Sequence, residues 1–336
     1  MPDLSSLSSA LDDSTEELEA VAEQRHGPIG EHLHGERLDK AVHDLAPEFS
    51  RSYLQGLIRR GLVRLDDQVV IKPAYKVSAG QLLAVGLQPS AQSQAFLPQP
   101  MALDVRYEDE DVLVVNKPAG LVVHPAAGNW SGTLLNGLLA RSPVFATLPR
   151  AGIVHRLDKD TSGLMVVGKS LPAIKNLVEQ IASREVSRRY LAIARRAPRA
   201  AWPWAQEGSS IDVDAAIGRD PHNRLRMAVL ADTAPGAKLA RTTITLLARQ
   251  EDWVLLHCAL HTGRTHQIRV HARQLGFPLV GDAVYGGAAY PGLARQALHA
   301  WKLAFRHPIT GDPIEVLSDA PADLQTICDA LGLRLP

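Results

Sequence analysis

The 336-residue sequence predicts an α+β fold in two units, a small one ahead of a large one. Three observations carry that expectation. Short apolar runs of strand length alternate irregularly with amphipathic stretches of helical period. A nearly uncharged segment rich in Pro, Gln and Ser, GLQPSAQSQAFLPQP from Gly86 to Pro100, separates two differently textured parts. A hydrophobic content of 46% over this length is enough for a sizeable core. The expected organisation is an acidic tail at 1–32, a small unit at 33–86, a linker at 87–100 and a large domain at 101–336.

The first 31 residues carry eight acids and one Arg, a net charge of −7, so the neutral total leaves +7 on the rest. Such a tail, rich in Ser, Asp and Glu and free of aromatics, is expected to be disordered or one frayed helix. A moderately basic body suits a polyanionic partner, although an ordinary solvated surface has the same charge. No basic-then-apolar leader opens the chain and no apolar run approaches about 20 residues, so a cytoplasmic protein without a membrane span is expected. Cys258 and Cys328 are too far apart in sequence for a paired motif, and neither a disulfide framework nor a cysteine metal site is expected.

In the small unit, Leu38, Val42 and Leu45 recur at helical spacing and Pro47 ends the pattern. Ser50 then caps a second helix carrying Leu54, Leu57 and Ile58. Strands follow at Leu62–Leu65, Val69–Ile71 and Leu82–Val85, parted by turns at Asp66-Asp67 and Ala79-Gly80. Arg51, Arg59 and Arg60 on the second helix, with Lys72 and Lys76 beyond it, make a candidate basic face. Exposed arginines on any amphipathic helix explain the same pattern.

In the large domain, a strand at Val112–Asn116 leads into a Pro-Gly turn at Lys117–Gly120, and SGTLLNGLLARS reads as a helix capped by Ser131. Next comes IVHRLDKDTSGLMVVG, from Ile153 to Gly168, in which His155, Arg156, Asp158, Lys159 and Asp160 lie between two apolar stretches read as buried strands. Asp160 to Gly163 supplies the turn residues. Cations beside a carboxylate favour its charged form, which suits a nucleophile or base. A salt-bridged hairpin accounts for the same charges.

SLPAIKNLVEQIASREV predicts a helix with Leu171, Ile174, Leu177, Val178 and Ile181 on one face, followed by a strand, SRRYLAIARR, whose Tyr190 is by default a core aromatic. His261, His266 and His271 recur every five residues, which fits no common metal-ligand set, and no metal is expected. Gly263, Arg264 and Gln267 in the same run are candidates to meet backbone or phosphate.

HRLDKDTSG, nine ordered residues of mixed chemistry, resembles the signature of the RluA-type pseudouridine synthases. RLDKAV, SRSYLQGLIRRGLV and KPAYKVSAGQ likewise resemble, in order, the alpha-L RNA-binding motif of ribosomal protein S-four type. The resemblance covers Glu36 to the end of the chain and, with VHPAAGN and GTLLNGLLA, looks most like the RluD branch. It implies a catalytic domain built on a central, mostly antiparallel mixed sheet flanked by helices, preceded by a small RNA-binding domain.

The implied function is isomerisation of uridine to pseudouridine in structured 23S ribosomal RNA, or a large-subunit precursor, at uridines of the stem-loop called helix sixty-nine. It also implies a monomer with no cofactor. By the same carry-over Asp158 is the catalytic aspartate, Tyr190 the active-site tyrosine and Arg269 the basic residue against the aspartate. Arg156 enters the RNA where the base has left. Asn116, Lys117 and His124 are supporting positions beside the cleft. Ala197–Gln206, with Trp202 and Trp204, departs from the expected pattern and is either a substrate contact or a plain loop. Other uridines of ribosomal or transfer RNA, a non-catalytic RNA binder and an N-glycoside hydrolase using Asp158 with Asp160 are the alternatives. Two residues of separation in a turn do not readily give the ~5 to 9 Å that paired-carboxylate hydrolysis uses.

Overall fold

The structure, a computed structural model, describes residues 23–87, 95–126, 128–223 and 226–336. The chain divides into two compact units, the first ending at Gln94 and the second spanning Ala95–Pro336.

The first unit contains β1 (Glu23–Pro28), α1 (Leu38–Leu45), α2 (Arg51–Arg59), β2 (Val63–Leu65), β3 (Gln68–Val69) and β4 (Leu82–Leu87). Its strands form an antiparallel sheet in the order β1-β4-β2-β3. Leu38 and Val42 from α1 and Leu54, Leu57 and Ile58 from α2 bury against Val63, Leu83 and Val85. Ser50 caps α2 by accepting from the Tyr53 amide at 3.3 Å. Asp66 and Asp67, both at positive φ, close the two-residue turn of the β2–β3 hairpin.

β1 lies inside the stretch read as acidic tail. It pairs with β4 through the backbone at the sheet edge, so it forms without an apolar pattern of its own. Residues 1–22 of that stretch, and 88–94 of the expected linker, lie outside the described residues. The end of the expected linker belongs to the second unit. There the buried Asn136 amide donates to Ala95 and Leu97 carbonyls and the Asn136 carbonyl accepts from the Gln99 amide.

The second unit opens with β5 (Asp104–Glu108), β6 (Val112–Lys117) and α3 (Leu134–Arg141), continuing through β7 (Ser162–Gly168), α4 (Leu171–Ala182) and β8 (Ser187–Arg195). β9 (Ser210–Asp214), β10 (Ile217–Arg219), β11 (Met227–Val229), β12 (Arg241–Gln250) and β13 (Trp253–Leu260) follow. α5 (Gln267–Gln274), β14 (Leu298–Arg306), β15 (Pro313–Leu317) and α6 (Ala322–Leu331) complete it. The main sheet runs β5-β6-β7-β14-β8-β13-β12-β9, with β15 also on β14. Only the β7–β14 pairing is parallel, so this is the mixed, mostly antiparallel sheet of an α+β fold.

Both faces of the sheet are covered. Leu113 and Val115 pack with Leu134 and Leu138 of α3 on one side, and Val112 and Val114 pack with Leu177 of α4 on the other. That is why β6 reads as an unbroken apolar run. Among the described residues no helix is long and apolar enough to cross a membrane.

Several local expectations are corrected. α3 is capped by Thr133, which makes a capping box with Asn136, because Ser131 lies two residues too early. On α4, Leu171 and Val178 are exposed while Ile174, Leu177 and Ile181 pack inward, so the buried face is narrower than the apolar count. The Trp202–Trp204 stretch has no regular secondary structure, and both rings are packed against the domain. Both rings pack on Phe277, and Trp204 Nε1 donates to the Ile244 carbonyl at 3.0 Å.

Candidate active site

Only the second half of the Ile153–Gly168 run is a strand, namely β7. Before it, Arg150, Ala151 and Gly152 all take positive φ, and Ile153 makes a single bridge to Val167. The apolar residues there are buried as a folded loop rather than a strand. The turn is also two residues earlier than expected: the Thr161 amide closes on the Asp158 carbonyl at 3.1 Å, and Ser162 and Gly163 already belong to β7.

This loop is fastened from several sides. Lys117 at the end of β6, only 1% exposed, donates from Nζ to the carbonyls of Pro118, Leu121 and Lys159 at 2.8, 2.9 and 2.9 Å. Burial pulls its pKa down to about 7, with Asp160 and Asp158 opposing. His155 Nε2 accepts from the Val166 amide at 3.0 Å, Gln296 Nε2 donates to Thr161 Oγ1 at 3.1 Å, and Arg295 Nη1 reaches the Asp160 carbonyl at 3.2 Å. Arg295 is itself held by Asp323 at 2.7 Å.

From this frame Asp158 projects into an open cavity of about 780 Å³, with its side chain 16% exposed. Arg269 on α5 meets it at 3.1 Å and is gripped on its other side by Asp282 at 2.7 and 2.9 Å. The cation on Asp158 is therefore Arg269; no ion pair joins Arg156 or Lys159 to it among the described residues. Burial works against the Arg269 charge, but the Asp282 hydrogen bonds and the charges of Asp282 and Asp158 outweigh it and raise its pKa further. The guanidinium also lies 5.0 Å from the Tyr285 ring centroid.

Tyr190 on β8 lines the same cavity. Burial pushes its phenol up to about 12, against the nearby charge of Arg188, so it keeps its proton at neutral pH. A bulge in β14 between Ala300 and Lys302 lies directly opposite Tyr190. His266, at φ 57° before α5, faces the cavity with Nδ1 2.8 Å from Tyr285 Oη. Arg156, Arg150, Arg184 and Arg264 are exposed at the cavity wall.

The structure thus brings Asp158, Tyr190, Arg269, Arg156 and Arg264 to one cavity. Arg264 also donates from Nε to the Leu239 carbonyl at 3.0 Å. Gln267 cannot meet phosphate: it is buried, its carbonyl accepts from the Arg264 amide and Thr262 hydroxyl, and its amide donates to Arg241 and Thr242. His261 and His271 are likewise engaged, with Thr243 and Thr242 respectively. His124 is on the cavity wall and Asn116 bonds Asp104. Arg51, Arg59 and Arg60 are exposed residues of the first unit.

Sequence reasoning missed Asp282, Arg295, Arg188 and the anchoring role of Lys117. Asp282 stands 13 residues after Arg269 in a stretch of turns, a spacing that marks nothing until the fold closes it.

Comparison with known proteins identifies the family of the chain. Residues 111–274 match the family described as RNA pseudouridylate synthase, and residues 36–83 match the S4 domain. The ribosomal large subunit pseudouridine synthase D of Neisseria meningitidis serogroup B is 47% identical over 314 residues, covering 90% of this chain and 80% of that protein. Its counterpart in Xanthomonas campestris pv. campestris is 44% identical over 333 residues, covering 95% and 96%. Among solved structures, human RNA Pseudouridylate Synthase Domain Containing 4 shares the fold, with a TM-score of 0.52 at 22% identity over 69% of this chain and 94% of that one. With such identity sustained over nearly the whole length of its relatives, the chain belongs to the RluA-type pseudouridine synthases and is an RNA isomerase.

Proposed function

We propose that this enzyme converts uridine to pseudouridine in the large-subunit ribosomal RNA, at uridines of the stem-loop called helix sixty-nine, with Asp158 as the catalytic carboxylate. The observation that carries the reading is Asp158 itself: a carboxylate open to the cavity, paired with an arginine that a second, buried aspartate holds still. The relatives named as large-subunit synthases support the choice of RNA. On this reading the enzyme works in the cytoplasm as a monomer without a cofactor.

The reaction breaks the C1′–N1 bond, turns the uracil and joins C5 to C1′, with no redox change and no energy input. Asp158 either attacks the sugar or base, or takes a proton as a glycal forms. Arg269 gives the carboxylate an ion-pair partner when RNA excludes water, where an unpaired charge would be costly. Extruding the uridine costs a few kcal/mol, and stacking on Tyr190 returns about 1–3 kcal/mol. Arg156, exposed at the wall, enters the space the base leaves. Arg264 meets the backbone at the rim. Arg51, Arg59 and Arg60 on the S4 domain grip phosphates and supply affinity more than sequence choice.

Mapping pseudouridines in ribosomal RNA tests the reading, using cells that lack the gene and are complemented with the wild type or Asp158→Asn. The helix sixty-nine sites should disappear on deletion and return only with the wild type. Their return with Asp158→Asn would sink the role of Asp158, and their persistence in the deletion strain would sink the substrate.

A further inference from the structure

Arg188 sits on β8 two residues before Tyr190, on the same face of the strand. It is only 7% exposed, lines the cavity, and its Nε is fully covered without a hydrogen-bond partner. Among the described residues its side chain makes no ion pair. Its Nη1 lies so close to Gly263 that a Cβ there would stand 2.9 Å away. A second orphan is beside it. His155 Nε2 accepts from the Val166 amide, so its proton is on Nδ1, which is buried and unpartnered on the same cavity. Burial, then the charge of Arg188, pushes the His155 pKa down to about 3, which keeps the ring a neutral donor.

A buried guanidinium without a counter-ion is expensive, and packing alone gives no reason to keep one. Its depth indicates what it awaits. The arginines at 150, 156, 184 and 264 are exposed on the cavity wall, as suits contacts to a hydrated ribose–phosphate chain. Arg188 is buried on the same cavity, two residues from Tyr190 on one face of β8, out of reach of the solvent that accompanies a phosphate chain.

We propose that Arg188 is a further catalytic residue, donating from its terminal guanidinium nitrogens to a carbonyl oxygen of the extruded uracil and stabilising the negative charge the base acquires during reaction. When C1′–N1 breaks, its electron pair leaves with the uracil and spreads over N1 and the carbonyl oxygens. Bond formation from C5 to C1′ returns the pair, and the C5 proton is lost as N1 regains one. If Asp158 instead adds to the base, the same oxygens carry the charge. Preorganised donors aimed at such an oxyanion act only as charge develops. This inference rests on reading the Asp158 cavity as the reaction site.

The test uses the full chain with Arg188→Met and Arg188→Lys, beside Asp158→Asn, on an RNA fragment carrying uridine or 5-fluorouridine at the target. Single-turnover consumption of the base, RNA affinity and thermal unfolding are measured. Arg188→Met should slow uridine consumption about 100-fold while RNA affinity is unchanged, and Arg188→Lys should keep part of the rate. The loss should shrink on 5-fluorouridine, whose base carries negative charge more readily. The melting temperature should hold or rise, because an unpaired buried charge is removed.

A loss that appears as weaker RNA binding and is the same for both bases would make Arg188 a phosphate contact and overturn the proposal. A fall in melting temperature in both Arg188 variants would make it structural and do the same. Activity in Asp158→Asn would refute the site instead, a result separate from the dependence of the Arg188 loss on the base.

Discussion

Asp282 decides how Arg269 presents itself to Asp158. Its side chain is wholly buried, and it takes two of the guanidinium's hydrogen bonds while also accepting from the Val284 and Tyr285 amides. Asp282→Asn removes the charge but keeps the shape, so Arg269 loses its fixed bearing. We expect a rate loss of about 100-fold, the scale of a catalytic group misplaced by ~1 Å, with RNA affinity unchanged in a binding assay. A pH effect arises at His299, whose Nδ1 pairs with Ser162 Oγ at 3.0 Å and whose Nε2 pairs with the Ser318 carbonyl. Burial lowers its pKa from 6.5 to about 4. The unfolded chain therefore binds a proton between those values and the folded chain does not. Stability is fully present above pH 6.5 and is lost as pH falls toward 4. His299→Gln should flatten that part of a melting-temperature profile.

Where β7 meets β14, the backbones approach too closely for a side chain. A Cβ on Gly163, at φ 119°, would lie 2.3 Å from the Ala300 carbonyl oxygen. Gly163→Ala should cost about 3 kcal/mol or more in denaturant unfolding, through strain plus a parted strand pair. At this scale the elements set by local chemistry were legible. Ser50 caps α2, Asp66-Asp67 turns the hairpin, and the apolar stripes of α1 and α2 face inward. Those set by tertiary contact were not. Ile153 is apolar because it is buried, yet its backbone follows three left-handed residues, and periodicity cannot separate burial from pairing. β1 formed because β4 offered an edge, which nothing in EQRHGP announces.

Across the whole molecule, the residues that line the cavity and are proposed to act on RNA were easier to find than those that hold them. Asp158, Tyr190 and Arg269 stood in motifs, whereas Lys117, Asp282 and Arg295 act through contacts with residues distant in the chain or across turns. The exposed arginines of the S4 domain make a prediction about the full chain. Replacing Arg51, Arg59 and Arg60 by Gln should lower the salt dependence of RNA binding by about 0.7–0.9 in log–log slope for each phosphate no longer neutralised, without changing single-turnover rate at saturation.

Isomerisation through Asp158 is tested most directly by single-turnover pseudouridine formation on a large-subunit RNA fragment, comparing the purified wild type with Asp158→Asn and measuring free uracil in the same samples. The wild type should give pseudouridine and no uracil, and Asp158→Asn should give neither despite equal RNA binding. Pseudouridine from Asp158→Asn, or uracil released by the wild type, would contradict this mechanism.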